Sequence, residues 1–208
     1  MTATRLLILG AVRERGSAHG YQVRRDLESW GVHLWGTIRQ GSIYHGLRKL
    51  EGEGLLEVVP TTAPAAGPTR TSYGLTEDGE RAFVELLEDA LRSDEAGLAE
   101  TIAGVGFITE LTRERAIELL RLRVDAYRRR RARVVDEYDR TADEDWGHHV
   151  EAVRLWARTA DSAVEWTQEL VERLQDGAYT MRGETRGETR GAAAGRSVTP
   201  AGTPSRGR

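Results

Sequence analysis

Five side chains that can hydrogen-bond or carry positive charge recur within one short stretch of this chain. They are Ser42, Tyr44, His45, Arg48 and Lys49. On a helix, this spacing keeps them away from the face that the apolar residues occupy. Cationic side chains neutralise phosphates, and arginine, lysine and short polar side chains donate to base edges in the major groove of DNA. These residue types indicate contact with nucleic acid, provided that a helix holds them together.

The neighbouring apolar residues predict that helix. Ile43, Leu47 and Leu50 recur at the i, i+4, i+7 spacing of a helix face that packs on a core. Gly54 predicts the end of the helix, and residues 55–59 (Leu-Leu-Glu-Val-Val) predict a short strand. A helix with a polar, basic outer face that leads into a strand is typical of a recognition helix followed by a β-wing.

Two predicted helices precede this unit. Residues 6–12 are apolar on most of a helical surface and predict a central first helix. Residues 16–20 interrupt it, and a second helix follows, in which Tyr21 and Trp30 have the spacing of core residues. We expect both rings to pack inside the N-terminal unit.

A predicted wing follows the recognition helix. Residues 60–68 (Pro-Thr-Thr-Ala-Pro-Ala-Ala-Gly-Pro) predict the wing tip, because proline cannot continue a sheet ladder. Residues 69–75 predict the return strand, and its Arg70 and Thr71 are candidate contacts to the DNA backbone or minor groove. Thr76 is placed to cap the next helix, whose first turn is acidic.

The distribution of charge agrees with this interpretation. The whole chain has a formal net charge of -3, so no global basic field attracts nucleic acid. The segment 1–59 carries a charge of about +2, whereas 92–176 carries about -5. The basic surplus therefore lies in the predicted helix and wing, and again in the C-terminal tail.

Nothing in the sequence predicts catalysis or metal binding. The chain has no cysteine, which excludes disulfides, thiolate catalysis and Cys-ligated zinc. It has no nucleophile elbow, phosphate loop or dinucleotide fingerprint. His148 and His149 lie near three acidic residues, but adjacent histidines on a helix point apart and no third ligand has suitable spacing. We expect a protein that is not an enzyme and that has no metal and no cofactor.

The C-terminal half predicts a dimerisation hairpin. Two long amphipathic helices, one starting near residue 113 and one following residue 145, carry apolar residues at alternating spacings of three and four. A small winged unit cannot bury both of their faces, so we expect a second copy of the chain to do so. The predicted dimer contacts are Val124, Tyr127, Val134, Val153, Trp156, Val164, Val171 and Leu174.

These observations divide the chain into three parts. Residues 1–92 form a predicted DNA-binding unit, residues 93–176 a helical dimerisation and effector unit, and residues 177–208 a disordered Arg/Gly-rich tail. The tail repeats Arg-Gly-Glu-Thr, and a passive role is favoured over added DNA affinity. No stretch has the length of a signal peptide core or of a membrane span, so we expect a cytoplasmic protein without membrane contact.

Four short motifs resemble the PadR family of transcriptional regulators. In chain order they are His19-Gly20-Tyr21, Gly41-Ser42-Ile43-Tyr44, Leu47-x-x-Leu50-Glu51-x-x-Gly54-Leu55 and Tyr73-x-Leu75-Thr76-x-x-Gly79. The resemblance covers residues 6–91, and the helices up to 176 match the family's longer C-terminal domains by arrangement only. His45, after the tyrosine, and the long wing tip depart from the family pattern, which puts the operator sequence in question.

The resemblance implies both a fold and a function. The fold is mainly α, with an N-terminal winged helix-turn-helix that carries a two-stranded β-wing, plus a C-terminal α-helical dimerisation domain. The function is that of a homodimeric repressor that leaves a pseudo-palindromic double-stranded DNA operator when a small aromatic or drug-like effector binds. Four tryptophans are candidate effector contacts: Trp35, Trp146, Trp156 and Trp166. Two alternatives stay open, a winged-helix protein–protein adaptor and a small-molecule-binding protein that acts without DNA.

Overall fold

The computed structural model describes residues 2–35, 40–60, 71–141 and 144–185. These residues form a mainly helical structure with one small sheet, as the sequence predicts. The helices are α1 (Thr2–Arg15), α2 (Gly20–Ser29), α3 (Val32–Trp35), α4 (Gln40–Gly52), α5 (Glu77–Arg92), α6 (Leu98–Gly106), α7 (Arg113–Thr141) and α8 (Val150–Gln175). Short 3-10 helices cover Ile108–Glu110 and Glu144–His149.

The sheet is antiparallel and has three strands in the described part of the chain. β2 (Leu56–Val59) and β3 (Ser72–Leu75) form the predicted wing, with Val58 opposite Tyr73. β1 (Ala18–His19) pairs with the other edge of β3, which gives the order β1-β3-β2. The prediction of two strands missed β1, because two residues are too few to show the alternation by which a strand is recognised.

Local side-chain and backbone bonds define the ends of the helices around α4. The His19 ring accepts from the Gln22 N–H at 3.3 Å while the Gln22 side chain accepts from the His19 N–H at 3.0 Å, a capping box that starts α2. After α4, Gly54 takes a φ of +74°, and the Leu55 N–H donates to the Leu50 carbonyl at 2.9 Å. The predicted helix stop at Gly54 is confirmed.

Thr76 caps α5 as predicted and also holds the base of the wing. Its hydroxyl accepts from the Gly79 N–H at 3.0 Å and donates to the Gly54 carbonyl at 2.7 Å. A Cβ at Gly79 would lie 2.1 Å from the Leu55 carbonyl oxygen, so only glycine allows the first turn of α5 to approach this loop. The end of α4, the wing and the start of α5 are therefore fixed relative to one another.

α1 lies at the centre of the molecule. Its Ile8, Leu9 and Val12 are 0% exposed, and the helix packs on α4, α5 and α6. One continuous core of buried residues extends from Leu6 to Met181. The predicted boundary at residue 92 therefore separates two segments of sequence that share a single core.

α7 and α8 pack along each other within one protomer. Among the predicted dimer contacts, Val124, Val171 and Leu174 are only 6%, 8% and 0% exposed. These three side chains belong to the core of the protomer rather than to an exposed seam, because the two helices cover each other's apolar faces. The other five predicted dimer contacts are partly exposed: Tyr127, Val134, Val153, Trp156 and Val164.

The segment 177–185 packs against the start of α7, which corrects the prediction that disorder begins at residue 177. Met181 is only 2% exposed, and Arg113 pairs with Glu184 through two bonds of 2.7 Å. Arg113 also donates to three backbone carbonyls, those of Leu174, Ala178 and Tyr179. The remainder of the predicted tail, 186–208, lies outside the described residues. Across the described ranges, no helix combines the length and the hydropathy that crossing a membrane would require.

Candidate nucleic-acid interface

α4 has one buried face and one face open to solvent. Ile43, Leu47 and Leu50 are 3%, 1% and 1% exposed and pack into the core. All five polar or basic residues predicted to contact DNA are exposed: Ser42, Tyr44, His45, Arg48 and Lys49. The apolar periodicity therefore places the candidate DNA contacts on the outside of the molecule, as expected.

A groove of about 500 Å³ runs between α4, the start of α2 and the wing. It brings together three predicted contacts, Tyr44 and Arg48 from α4 and Thr71 from the residue before β3. Tyr21 also lines this groove and is 46% exposed, so the prediction that its ring is part of the core is wrong. The spacing of residues along α2 does not by itself decide which face is buried. In the structure, the residue after the capped start of α2 lies on the exposed face.

The position of Tyr44 depends on a glycine in α2. Its ring lies so close to Gly20 that a Cβ there would be 2.4 Å from Tyr44 Cε1. The ring thus packs on the backbone of α2 while 40% of the residue stays exposed. This arrangement leaves the aromatic body on the protein and makes Tyr44 accessible to a ligand in the groove.

Arg48 is the cation most available to a phosphate in this groove. It forms no ion pair with any other residue that the structure describes. Burial and the Glu51 carboxylate raise the pKa of Tyr73 at the groove, and the Arg48 charge acts in the opposite direction. Lys49, by contrast, has Glu53 at 3.9 Å, and Glu53 is already bound to Arg5 at 2.5 Å.

The other side of α4 carries a second, smaller group of predicted contacts. Ser42, His45 and Lys49 line a groove of about 420 Å³ together with Thr4 and Arg5 of α1. α4 therefore forms a ridge with polar side chains along both flanks, which is the shape that a helix needs to enter a major groove. Arg70 lies outside the described residues, so its predicted contact has no structural test.

The three candidate tryptophans whose side chains the structure describes do not lie in one site. Trp35 is half-buried against the core near the winged unit, and the side chain of Trp146 lies outside the described residues. Trp156 lies under Arg130, whose guanidinium carbon is 5.7 Å from the ring centre, and Trp166 lines a cleft between α6, α7 and α8. Each tryptophan therefore stays a separate candidate contact to an effector.

No metal-binding cluster competes with this interface in the described residues. His148 and His149 have ring centres 4.3 Å apart, so the expectation that these adjacent side chains point apart is wrong, because they lie in a kinked 3-10 segment rather than in an α-helix. No group of three or more His, Cys, Asp or Glu side chains among the described residues is arranged to hold a metal ion.

Comparison with known proteins finds one family match, which covers the winged unit. Residues 8–85 match the family model of the Transcriptional regulator PadR-like family. Among proteins with curated functions, none matches the chain.

Several solved structures are similar over most of the chain. Bacillus subtilis PadR in complex with operator DNA is 20% identical, over 82% of this chain and 98% of that chain, with a TM-score of 0.38. The same regulator in complex with p-coumaric acid is 19% identical, over 83% and 99%, with a TM-score of 0.36. A PadR-like transcriptional regulator from Bacillus cereus is 18% identical, over 83% and 98%, with a TM-score of 0.33.

The family match extends from α1 into α5 and so contains α4, the wing strands and the groove between them. Residues 8–85, which carry the candidate interface, are therefore similar to the PadR-like family of transcriptional regulators.

Proposed function

We propose that this regulator is a homodimeric repressor that binds a pseudo-palindromic operator and leaves it when a small effector binds. The observation that carries the proposal is the exposed flank of α4, where Arg48 has no described ion-pair partner and lies beside Tyr44 and Thr71 in one groove. An unpaired cation next to hydroxyl donors suits a phosphate. Two such helices related by a two-fold axis would reach successive major grooves.

A gel-shift titration on DNA from upstream of the protein's own gene tests the operator. We expect a sequence-preferring complex whose affinity falls with salt. Replacing Arg48 and Lys49 by alanine should weaken it and lower the salt slope by about 0.9 for each phosphate that the variant no longer neutralises. Arg140→Ala is the control, because Arg140 is an exposed arginine at the far end of α7. A wild-type protein with no salt-sensitive, sequence-preferring complex would contradict the proposal.

Exposed apolar residues on the C-terminal helices support the homodimer. Leu98 on α6 and Leu155 on α8 are 75% and 69% exposed, and Trp166 is 37% exposed. Surfaces of this kind are commonly covered by another protein copy. Deleting α8 would also remove Leu174 from the protomer core, so Leu155→Arg is the sharper test. We expect the variant to sediment as a monomer with native helicity, and a variant that stays dimeric would argue against this face.

A further inference from the structure

The groove of about 420 Å³ between α1 and α4 gathers hydrogen-bond donors from both helices. No aspartate or glutamate is among the described residues that line it. Its polar lining residues are Thr4 and Arg5 of α1 and Ser42, His45 and Lys49 of α4. Positive charge and hydroxyl groups therefore meet on a flank of the helix that is proposed to contact DNA, and α1 supplies part of them.

Close packing of α1 on α4 fixes the shape of this groove. A Cβ at Gly46 would lie 2.5 Å from Ile8 Cδ1, so the two helices touch where these residues line the groove. At Gly41, near the start of α4, a Cβ would meet nothing within 4 Å, so the groove is open there. A DNA backbone that approaches α4 can therefore reach the side chains of α1 as well.

One carboxylate binds two cations of the groove. Glu53 Oε2 is 2.5 Å from Arg5 Nη1, and Glu53 Oε1 is 3.9 Å from Lys49 Nζ. The carboxylate thus presents one oxygen to each cation, as a phosphodiester can with its two non-bridging oxygens. The side chains of Arg5 and Lys49 are 33% and 52% exposed, so a phosphate from solvent can reach both.

Replacement of this carboxylate by a phosphate costs little. An exposed ion pair is weak, because water and salt screen both charges. The side chains of Thr4, Ser42 and His45 have no hydrogen bond to any other residue that the structure describes. A phosphate in the groove would therefore gain several donors in exchange for one weak ion pair.

We propose that Glu53 competes with DNA phosphates for Arg5 and Lys49. In the free protein its carboxylate holds both cations, and on DNA a backbone phosphate takes its place in the α1–α4 groove, so that Arg5 becomes part of the interface. The exchange rests on the DNA-binding function proposed above. Because every DNA sequence carries the same phosphates, the exchange sets affinity rather than base preference.

Fluorescence anisotropy of labelled DNA with the full-length protein measures the exchange. Two duplexes of equal length are used, one from upstream of the protein's own gene and one of unrelated sequence. Glu53→Gln keeps the shape of the side chain and removes its charge, so we expect it to bind both duplexes about two- to fivefold more tightly, the range set by an exposed ion pair.

The direction of the change separates exchange from a structural role. A carboxylate that only ties α1 to the end of α4 would weaken DNA binding when removed, so an unchanged or lower affinity of Glu53→Gln would overturn the proposal. A gain confined to the upstream duplex would also overturn it, since that result would assign Glu53 to the reading of bases.

Two further tests separate local exchange from a general change in charge. Glu51→Gln makes the same charge change on the same helix, and Glu51 has no ion-pair partner among the residues that the structure describes. We expect a smaller gain from it, and a gain equal to that of Glu53→Gln would refute the exchange in favour of long-range repulsion. In an Arg5→Ala, Lys49→Ala background the gain from Glu53→Gln should disappear, and a gain that survives there would contradict the proposal.

The two proposals fail in different ways. A wild-type protein that forms no salt-sensitive complex with either duplex would lose the DNA-binding function and the exchange with it. A sequence-preferring wild-type complex to which Glu53→Gln adds no affinity would refute the exchange and leave the function intact.

Discussion

Replacing Gly20 by alanine tests how α2 holds Tyr44 on the side of the molecule that is proposed to face DNA. The new Cβ would lie 2.4 Å from Tyr44 Cε1 and 2.8 Å from its Cδ1, well inside contact distance. Because Tyr44 is 40% exposed, its ring can turn outward into solvent without moving the backbone. We therefore expect a Gly20→Ala protein that folds but presents Tyr44 differently to DNA.

Two opposing terms set the change in the free energy of unfolding. Alanine in a helix stabilises by up to about 1 kcal/mol relative to glycine. The steric conflict with Tyr44 costs about 1 to 3 kcal/mol. In a Tyr44→Ala background that conflict is gone and only Leu47 Cδ1, at 3.3 Å, is close to the added Cβ. The two positions should therefore be coupled by about 1 to 3 kcal/mol.

Denaturant unfolding of the wild type, both single variants and the double variant measures this coupling. Gly52→Ala is the matched control, because a Cβ there meets nothing within 4 Å. If Tyr44 donates to a phosphate, Gly20→Ala should also weaken operator binding by about 1.5 kcal/mol, roughly tenfold, while Gly52→Ala leaves it unchanged. The same stability change from Gly20→Ala with and without Tyr44 would refute the reasoning.

Three further predictions concern stability. Thr76→Val should lower the free energy of unfolding in urea by about 1 kcal/mol, because the Gly79 N–H then has no side-chain cap; an unchanged midpoint would contradict this. Phe107→Ala should lower the free energy of unfolding by about 3 to 5 kcal/mol, measured by thermal unfolding, because the ring is only 3% exposed. A loss near 1 kcal/mol would contradict this and would mean that neighbouring side chains move in to fill the space. The hydrogen bond from Arg115 lowers the pKa of Glu88, so its stabilisation is present above the unfolded pKa of about 4.3 and is lost as pH falls through the lower folded value. Glu88→Gln should thus be less stable at neutral pH by under about 1 kcal/mol and equal to wild type near about pH 2, and a deficit that persists in acid would count against the ion pair.

The recognition helix and wing are predictable from sequence because their signals are local. The apolar face of α4 follows from three residues at helical spacing, its end from Gly54 and the start of α5 from Thr76, and each of these signals lies within about two helical turns. Exposure of Arg48 follows in turn, since a helix that buries one face presents the other.

Features that depend on distant partners could not be predicted in this way. The segment 177–185 is polar and repetitive, and it is held by Arg113, which lies 71 positions before Glu184. Arg123 occurs in an arginine-rich stretch where a solvated position is the ordinary expectation. Three of its four acceptors, however, are 22 to 33 positions away, at the end of α5, just after it, and on α6. Helical spacing shows which face a residue occupies, but the packing partner decides whether that face is buried.

The position of α1 explains how the two halves of the molecule can affect each other. A Cβ at Gly10 would lie 2.1 Å from Phe107 Cζ, and a Cβ at Gly46 of α4 would lie 2.5 Å from Ile8 Cδ1. One turn of α1 is thus in tight contact with the end of α6 on one side and with the recognition helix on the other.

Arg13 strengthens this connection, because it binds both Glu80 at the start of α5 and Glu110 just before α7. These close-packed contacts join the end of α6 to α1. A ligand that changes the spacing of α6 and α8 must therefore either leave α1 in place, and so leave α4 unaffected, or move α1 and α4 together. Only the second response would change how α4 is presented to DNA, so the proposed control by an effector in the C-terminal half would require α1 to move as one body with α4.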